Sequence, residues 1–100
     1  MKTRTVVFTL EAEDDLTEIY DYIADQGAPL SALGFAERIE IFCQSLGHAA
    51  ERGLNLAANR QGIRAIGFER RVTIVFQISD ETVSILRIYR AGRNWSVDFS

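Results

Sequence analysis

The apolar residues of this chain change period part-way along. That change constrains the fold more than any other feature of the sequence. A short opening run, TVVFT at residues 5–9, is β-branched and aromatic and predicts a first strand. Leu16, Ile19, Tyr20 and Ile23 then recur at helical spacing and give one apolar stripe. Thr9 is the expected N-cap of that helix, and Gly27 its stop. Glu11, Glu13, Asp14 and Asp15 crowd its first turns, where the helix dipole favours negative charge. A second helix is expected from Pro29 to Gly47 and His48. It would bury Phe35 or Ala36, Ile39, Phe42 or Cys43, and Leu46. Residues 49–61 show no period and predict a loop. Beyond them the pattern alternates. GIRAIGF and RVTIVFQI read as strands joined by a tight FERR link, and VSILRIYRA returns as a third after the SDET turn.

Two helices joined by a few residues form an antiparallel hairpin, and neither can bury its stripe alone. The expected fold is therefore α+β in two layers, in the order β-α-α-β-β-β. A helical hairpin covers one face of a C-terminal three-stranded antiparallel meander, and residues 1–100 form one domain. Val72, Ile74, Phe76 and Ile78 would face one way, and Thr73, Val75 and Gln77 the other. On the last strand, Leu86 and Ile88 would share one face, and Arg87 and Tyr89 the opposite one. The alternation does not say which set meets the helices. An apolar strip left uncovered on the far face and rimmed by arginines would be a protein-binding groove; the alternative is that the chain's own tail packs over it.

Composition narrows the function classes. The chain is 47% apolar and 25% charged, which is ordinary for a globular domain. It shows no run long enough for a membrane span, and its opening lacks a secretory apolar core. The single cysteine, Cys43, excludes an internal disulfide and fits a reducing cytoplasm. The net charge of −3 conceals an asymmetry. Residues 1–50 carry three basic residues against nine acidic ones, whereas residues 51–100 carry eight arginines against five acids. Only one of the eleven basic residues is lysine, a bias that suits oriented pairing more than diffuse attraction to phosphates. The overall acidity argues against strong non-specific nucleic-acid binding.

FTLEAEDDLTEIYDYIA, FAERIEIFCQSLG, GIR and VSILRIYRAGRNW, in this order, resemble the RelE/ParE toxin superfamily over nearly the whole chain. The first-helix wording and the terminal ILRI followed by GRNW are most similar to ParE-type toxins. The resemblance implies a cytoplasmic toxin of a type II toxin–antitoxin module, with a role in plasmid stabilisation. A cognate antitoxin, of ribbon-helix-helix ParD type, would neutralise it, and DNA gyrase would be its target. No cofactor or metal is implied. RelE-like relatives instead cut mRNA on the ribosome, and a non-toxic interaction module of the same fold is a further alternative. Fold alone does not choose among them.

Metal-free RNA cleavage needs a base for the 2′-OH, cations for the developing charge and an acid for the leaving oxygen. By resemblance, Arg64 and Arg93 stand where two catalytic arginines would sit. The loop before the meander, however, has no lysine, and Trp95 and Phe99 follow Arg93 where a tyrosine would be needed. His48 is read as a helix-end residue, Cys43 as core, and the EAEDD carboxylates as helix-start residues. The chain is therefore read as non-catalytic, with no sequence-specific nucleic-acid contact of its own. The docking residues would be Arg87, Tyr89, Arg90, Arg93 and Trp95, where RAGRNW combines a turn glycine, two arginines and a large ring. The bland alternatives are that Trp95 packs back on the sheet, and that Arg64 or Arg87 pairs with a helix carboxylate such as Asp15 or Asp21.

Overall fold

The computed structural model describes residues 3–55 and 62–93. The chain runs β1 (Thr5–Phe8), α1 (Leu10–Ala24), α2 (Pro29–Ser45), β2 (Leu54–Asn55), β3 (Ile63–Phe68), β4 (Val72–Ile78) and β5 (Thr82–Arg90). The expected order and the antiparallel β3–β4–β5 meander are both present. The sheet is wider than expected, with five strands in the order β1-β5-β4-β3-β2. β1 pairs in parallel with β5, from Thr5 opposite Thr82 to Phe8 opposite Ile85. The stretch expected to be a loop contains the two-residue β2, which pairs antiparallel with β3. No alternation marks so short a strand, so its partner rather than its own sequence defines it. No helix of the described residues is long and apolar enough to cross a membrane.

The caps act as the sequence predicts. The Thr9 hydroxyl accepts from the Ala12 amide at 3.1 Å. Pro29 opens α2. Gly27 adopts φ +85° three residues after α1 ends, a left-handed position that glycine takes without steric cost. At the far end of α2, the Gly47 carbonyl accepts from the Arg4 amide at 2.7 Å. A Cβ on Gly47 would lie 2.5 Å from the Arg4 carbonyl oxygen, so only glycine lets β1 come this close.

The main core lies between the hairpin and the sheet. Ile19, Phe35, Ile39, Cys43 and Leu46 meet Val72, Ile74, Phe76, Val83, Ile85 and Ile88 there. The Val72–Ile78 face thus turns to the helices, and Val75 to the other side. Ile63, Ala65, Val75 and Tyr89 form a second, smaller cluster with Leu86 packed against it. Those four are at most 5% exposed, so they do not form the bare strip envisaged from the alternation.

One facing assignment is overturned. Leu86 packs with Tyr89, whereas Ile88 joins the helix-side core. The cause is a β-bulge: Val75 pairs with Arg87 but Phe76 pairs with Ile85, which leaves Leu86 as the extra residue. A bulge shifts the alternation by one place, and period two cannot reveal it.

Cys43 is fully buried, and burial together with the charge of Glu40 pushes its thiol up to about 12. The thiolate, the reactive form, is therefore scarce in the native state. A thiol reagent added at neutral pH should label Cys43 only at the rate of global unfolding. Rapid labelling of native protein would contradict the burial described here.

Candidate functional site

β1 pairs with β5 only as far as Ile85, so residues 86–90 have no strand neighbour on that side. The first turns of α1 cover this edge. The Thr9 amide donates to the Ile85 carbonyl at 3.0 Å, and the Thr9 hydroxyl to the Leu86 carbonyl at 2.9 Å. Two turns later, Asp15 Oδ2 accepts from the Ile88 amide at 2.9 Å. The same carboxylate takes Arg87 in a fork, Nε to Oδ2 at 2.7 Å and Nη2 to Oδ1 at 2.9 Å. Asp15 is 9% exposed, and it is the buried charged residue among the described ones. The Arg87 guanidinium also lies 4.8 Å from the centre of the Tyr89 ring. Of the two strand arginines considered for a helix carboxylate, Arg87 makes that pair. Arg64 instead donates to the Gly53 carbonyl at 3.4 Å.

Two recesses flank the C-terminal end of β5. The first, about 210 Å³, is polar and lined by Asp15, Glu18, Arg87, Tyr89, Arg90 and Arg93. It brings together four of the five docking residues expected from the sequence; the fifth, Trp95, lies outside the described residues. Arg90 and Arg93 are exposed, and Tyr89 is 4% exposed.

The second recess, about 240 Å³, lies on the hairpin side of Arg90. Ile19, Ile23, Phe35 and Val72 form its apolar floor, and Tyr22 stands at its wall. Arg70, Arg71 and Arg90 line its rim. Arg71 lies 4.0 Å from the centroid of the Phe35 ring, and Arg90 lies 4.2 Å from that of Tyr22. Arg70, Arg71, Tyr22 and Phe35 were not singled out from the sequence as site residues. The available signal was FERR, two arginines at a hairpin tip, but its position against the hairpin is a tertiary fact.

The arrangement suits anion binding. A guanidinium held over a ring, as Arg71 and Arg90 are, can still offer its planar fork of donors to a carboxylate or phosphate. Three of the proton-transfer candidates weighed from the sequence are committed or distant. Asp15 is held by three donors, Cys43 is buried, and His48 follows the far end of α2, roughly 15 Å of helix beyond Phe35. Arg64 and the arginines near Arg93 also lie apart. Arg64 pairs with Phe76 and Arg90 with Val72, which are four residues distant on β4, or roughly 13 Å along the strand. No group of three or more His, Cys, Asp or Glu suited to a metal ion occurs among the described residues.

Residues 6–95 match the family model described as the ParE toxin of the type II toxin–antitoxin system parDE. No curated protein matches the sequence significantly. Among solved structures, a chain of the chromosomal ParDE toxin–antitoxin system from P. aeruginosa is similar, with a TM-score of 0.76 and 27% identity. That match covers 89% of this chain and 97% of the other. A chain of the RelBE2 toxin–antitoxin complex from Mycobacterium tuberculosis shares the fold, with a TM-score of 0.57 and 23% identity over 88% of this chain and 98% of that one.

Removing the Asp15 carboxylate would orphan both the Arg87 fork and the Ile88 amide. Asp15→Ala is expected to cost about 3 kcal/mol in urea unfolding, and Asp15→Asn, which keeps one acceptor, less. Equal stability of Asp15→Ala and the parent would show that the edge does not depend on this carboxylate. In the turn between β3 and β4, Glu69 accepts from Arg38 of α2 at 2.8 and 3.1 Å, which holds its carboxyl below the ordinary glutamate range; the charge of Arg71 adds to the effect. The pair therefore contributes stability above that ordinary range, and the contribution is lost as pH falls through the lowered value. Carboxyl titration by NMR should show the Glu69 midpoint moving up in Arg38→Gln. An unchanged midpoint would mean that Arg38 is not its cause.

Proposed function

The chain belongs to the ParE toxin family of type II toxin–antitoxin systems, and from that premise we propose that it acts by binding rather than by cutting. The target is DNA gyrase, held so that DNA breaks persist. The restraint is a cognate antitoxin of ribbon-helix-helix ParD type, whose tail folds on the toxin surface. The site of action is the cytoplasm.

One observation carries this reading. The face that gathers Arg87, Tyr89, Arg90 and Arg93 is built for docking and poorly equipped for phosphodiester chemistry. Arg87 is committed to Asp15, and Arg90 is stacked on Tyr22. The carboxylates lining that recess are Asp15, already holding three donors, and the exposed Glu18. A nuclease needs a base and an acid about one scissile phosphate apart, both with cations around them. The solved ParDE relative supports an antitoxin partner, and the family match supports the toxin role.

Purified protein added to gyrase and relaxed plasmid should block supercoiling and accumulate cleaved DNA. The double variant Arg90→Glu/Arg93→Glu should need about tenfold more protein for the same effect, the equivalent of losing one charge-assisted contact. Messenger RNA in expressing cells should stay intact. Untouched supercoiling at large molar excess would overturn the gyrase reading. Ribosome-dependent transcript cleavage that disappears in Arg64→Ala, Arg93→Ala or Glu18→Gln would replace it with the endonuclease reading.

A further inference from the structure

We propose that the outward face of α2 is a dimerisation surface, on which a second copy of this chain packs its own α2 antiparallel. The inference rests on α2 alone and uses none of the residues that line the two recesses.

α2 departs from the pattern of a surface helix. Phe35, Ile39 and Cys43 bury one face in the core, and the opposite face of such a helix is ordinarily polar. The outer residues of α1 follow that rule, with Glu11, Glu13, Asp14, Glu18 and Asp21 exposed. On α2, by contrast, Leu30, Leu33 and Ile41 are 85%, 49% and 70% exposed. At about 3.6 residues per turn, these three share with Gly34 and Glu37 a sector of roughly 100°, directed away from the core. The stripe from Leu30 to Ile41 runs roughly 16 Å along the helix.

Gly34 sits at the middle of this face, and the single chain gives no reason for it. Its backbone is ordinary helix, without the left-handed φ of the turn glycines. A Cβ there would meet only Nη1 of Arg38, at an ordinary contact distance of 3.6 Å. Glycine inside a helix is destabilising relative to alanine. What its missing side chain permits is the close approach of another helix at that point.

Charge complementarity selects a second copy as the occupant. Arg38 gives Nε and Nη2 to Glu69, which anchors its guanidinium to the β3–β4 turn. That turn is tight, with Glu69 and Arg70 at φ 52° and 56° and the Arg71 amide bonded to the Phe68 carbonyl at 3.0 Å. Nη1, the nitrogen beside Gly34, has no hydrogen bond among the described residues. Two antiparallel copies of the stripe, crossing between Gly34 and Glu37, set Leu30 against Ile41 at both ends. The crossing lays the Glu37 carboxylate of each copy over the open Gly34 of the other, within reach of that Nη1, and two-fold symmetry makes the contact twice. Glu37 and Glu40 are exposed on or beside the same face and make a polyanion or an anionic membrane a poor occupant. A single helix face is smaller than the roughly 800 Å² a side of a standard interface, so the dimer is weak and concentration-dependent.

Sedimentation velocity on the whole chain, over about two decades of concentration, reads the equilibrium. The parent should pass from monomer to dimer as the concentration rises. Ile41→Glu and Glu37→Arg alter exposed residues, so both should fold normally, which circular dichroism checks, and each should weaken the dimer about tenfold. Gly34→Gln should move two readouts in opposite directions. Melted at low concentration, where the chain is monomeric, it should be more heat-stable than the parent because the helix has lost its glycine, while its dimer weakens by about the same factor. A parent that stays monomeric throughout would overturn the proposal. So would a dimer that none of these variants weakens, since another face would then hold it. So, too, would a monomer that sediments with phosphatidylcholine vesicles until Ile41→Glu removes the binding, since the occupant would then be a lipid surface. Gyrase inhibition is measured separately, so failure here leaves that reading standing, and the reverse holds.

Discussion

The two layers are joined where a sheet runs out of strands. β1 stops pairing at Ile85, and five more residues of β5 continue with one edge unpaired. Buried backbone groups without partners are costly, so something must replace the missing strand. Thr9 and Asp15 of α1 do so, with a hydroxyl, an amide and a carboxylate that meet the Ile85 and Leu86 carbonyls and the Ile88 amide. The same Asp15 carboxylate neutralises Arg87. A helix is therefore fixed to a strand edge by directional bonds, and the apolar core beneath it needs only to fill space.

That arrangement governs the surface as well. Because Arg87 is tied inward, it orients neighbouring chemistry and leaves Arg90 and Arg93 as the exposed cations at the end of β5. Arg90 borders both recesses, and its stack on Tyr22 links β5 to the outer side of α1. The acidic half of the chain supplies the hairpin and the arginine-rich half supplies the strands and turns. The charge asymmetry thus becomes a spatial one, with a cationic margin where the meander meets the hairpin.

The β3–β4 turn is held by a carboxylate much as the β5 edge is held by Asp15. In each case one side-chain carboxylate, Glu69 or Asp15, receives an arginine fork and holds a piece of backbone that would otherwise be unfavourable. The two differ in exposure. Asp15 is buried, where a lost partner is expensive; the Arg38–Glu69 pair is exposed, where water and salt weaken it. Breaking the first pair is therefore the costlier change, while the second acts on local shape.

The sequence by itself determined the elements whose signal is local: both helices with Thr9, Gly27 and Pro29 at their ends, the three-strand meander, and the grouping of Val72, Ile74 and Phe76 on one face, whereas which face meets the helices came from the structure. Periodicity and capping act within a few residues, and a reader of the chain has all the terms. Its resemblance to the toxin superfamily also named the family correctly. Only the tertiary structure decided the pairing of β1 with β5, the two-residue β2, the bulge at Leu86, the commitment of Arg87 to Asp15 rather than to solvent, and the meeting of Arg70 and Arg71 with Tyr22 and Phe35. Each of these is a contact between residues far apart in sequence, and its energy exists only once both partners have been brought together.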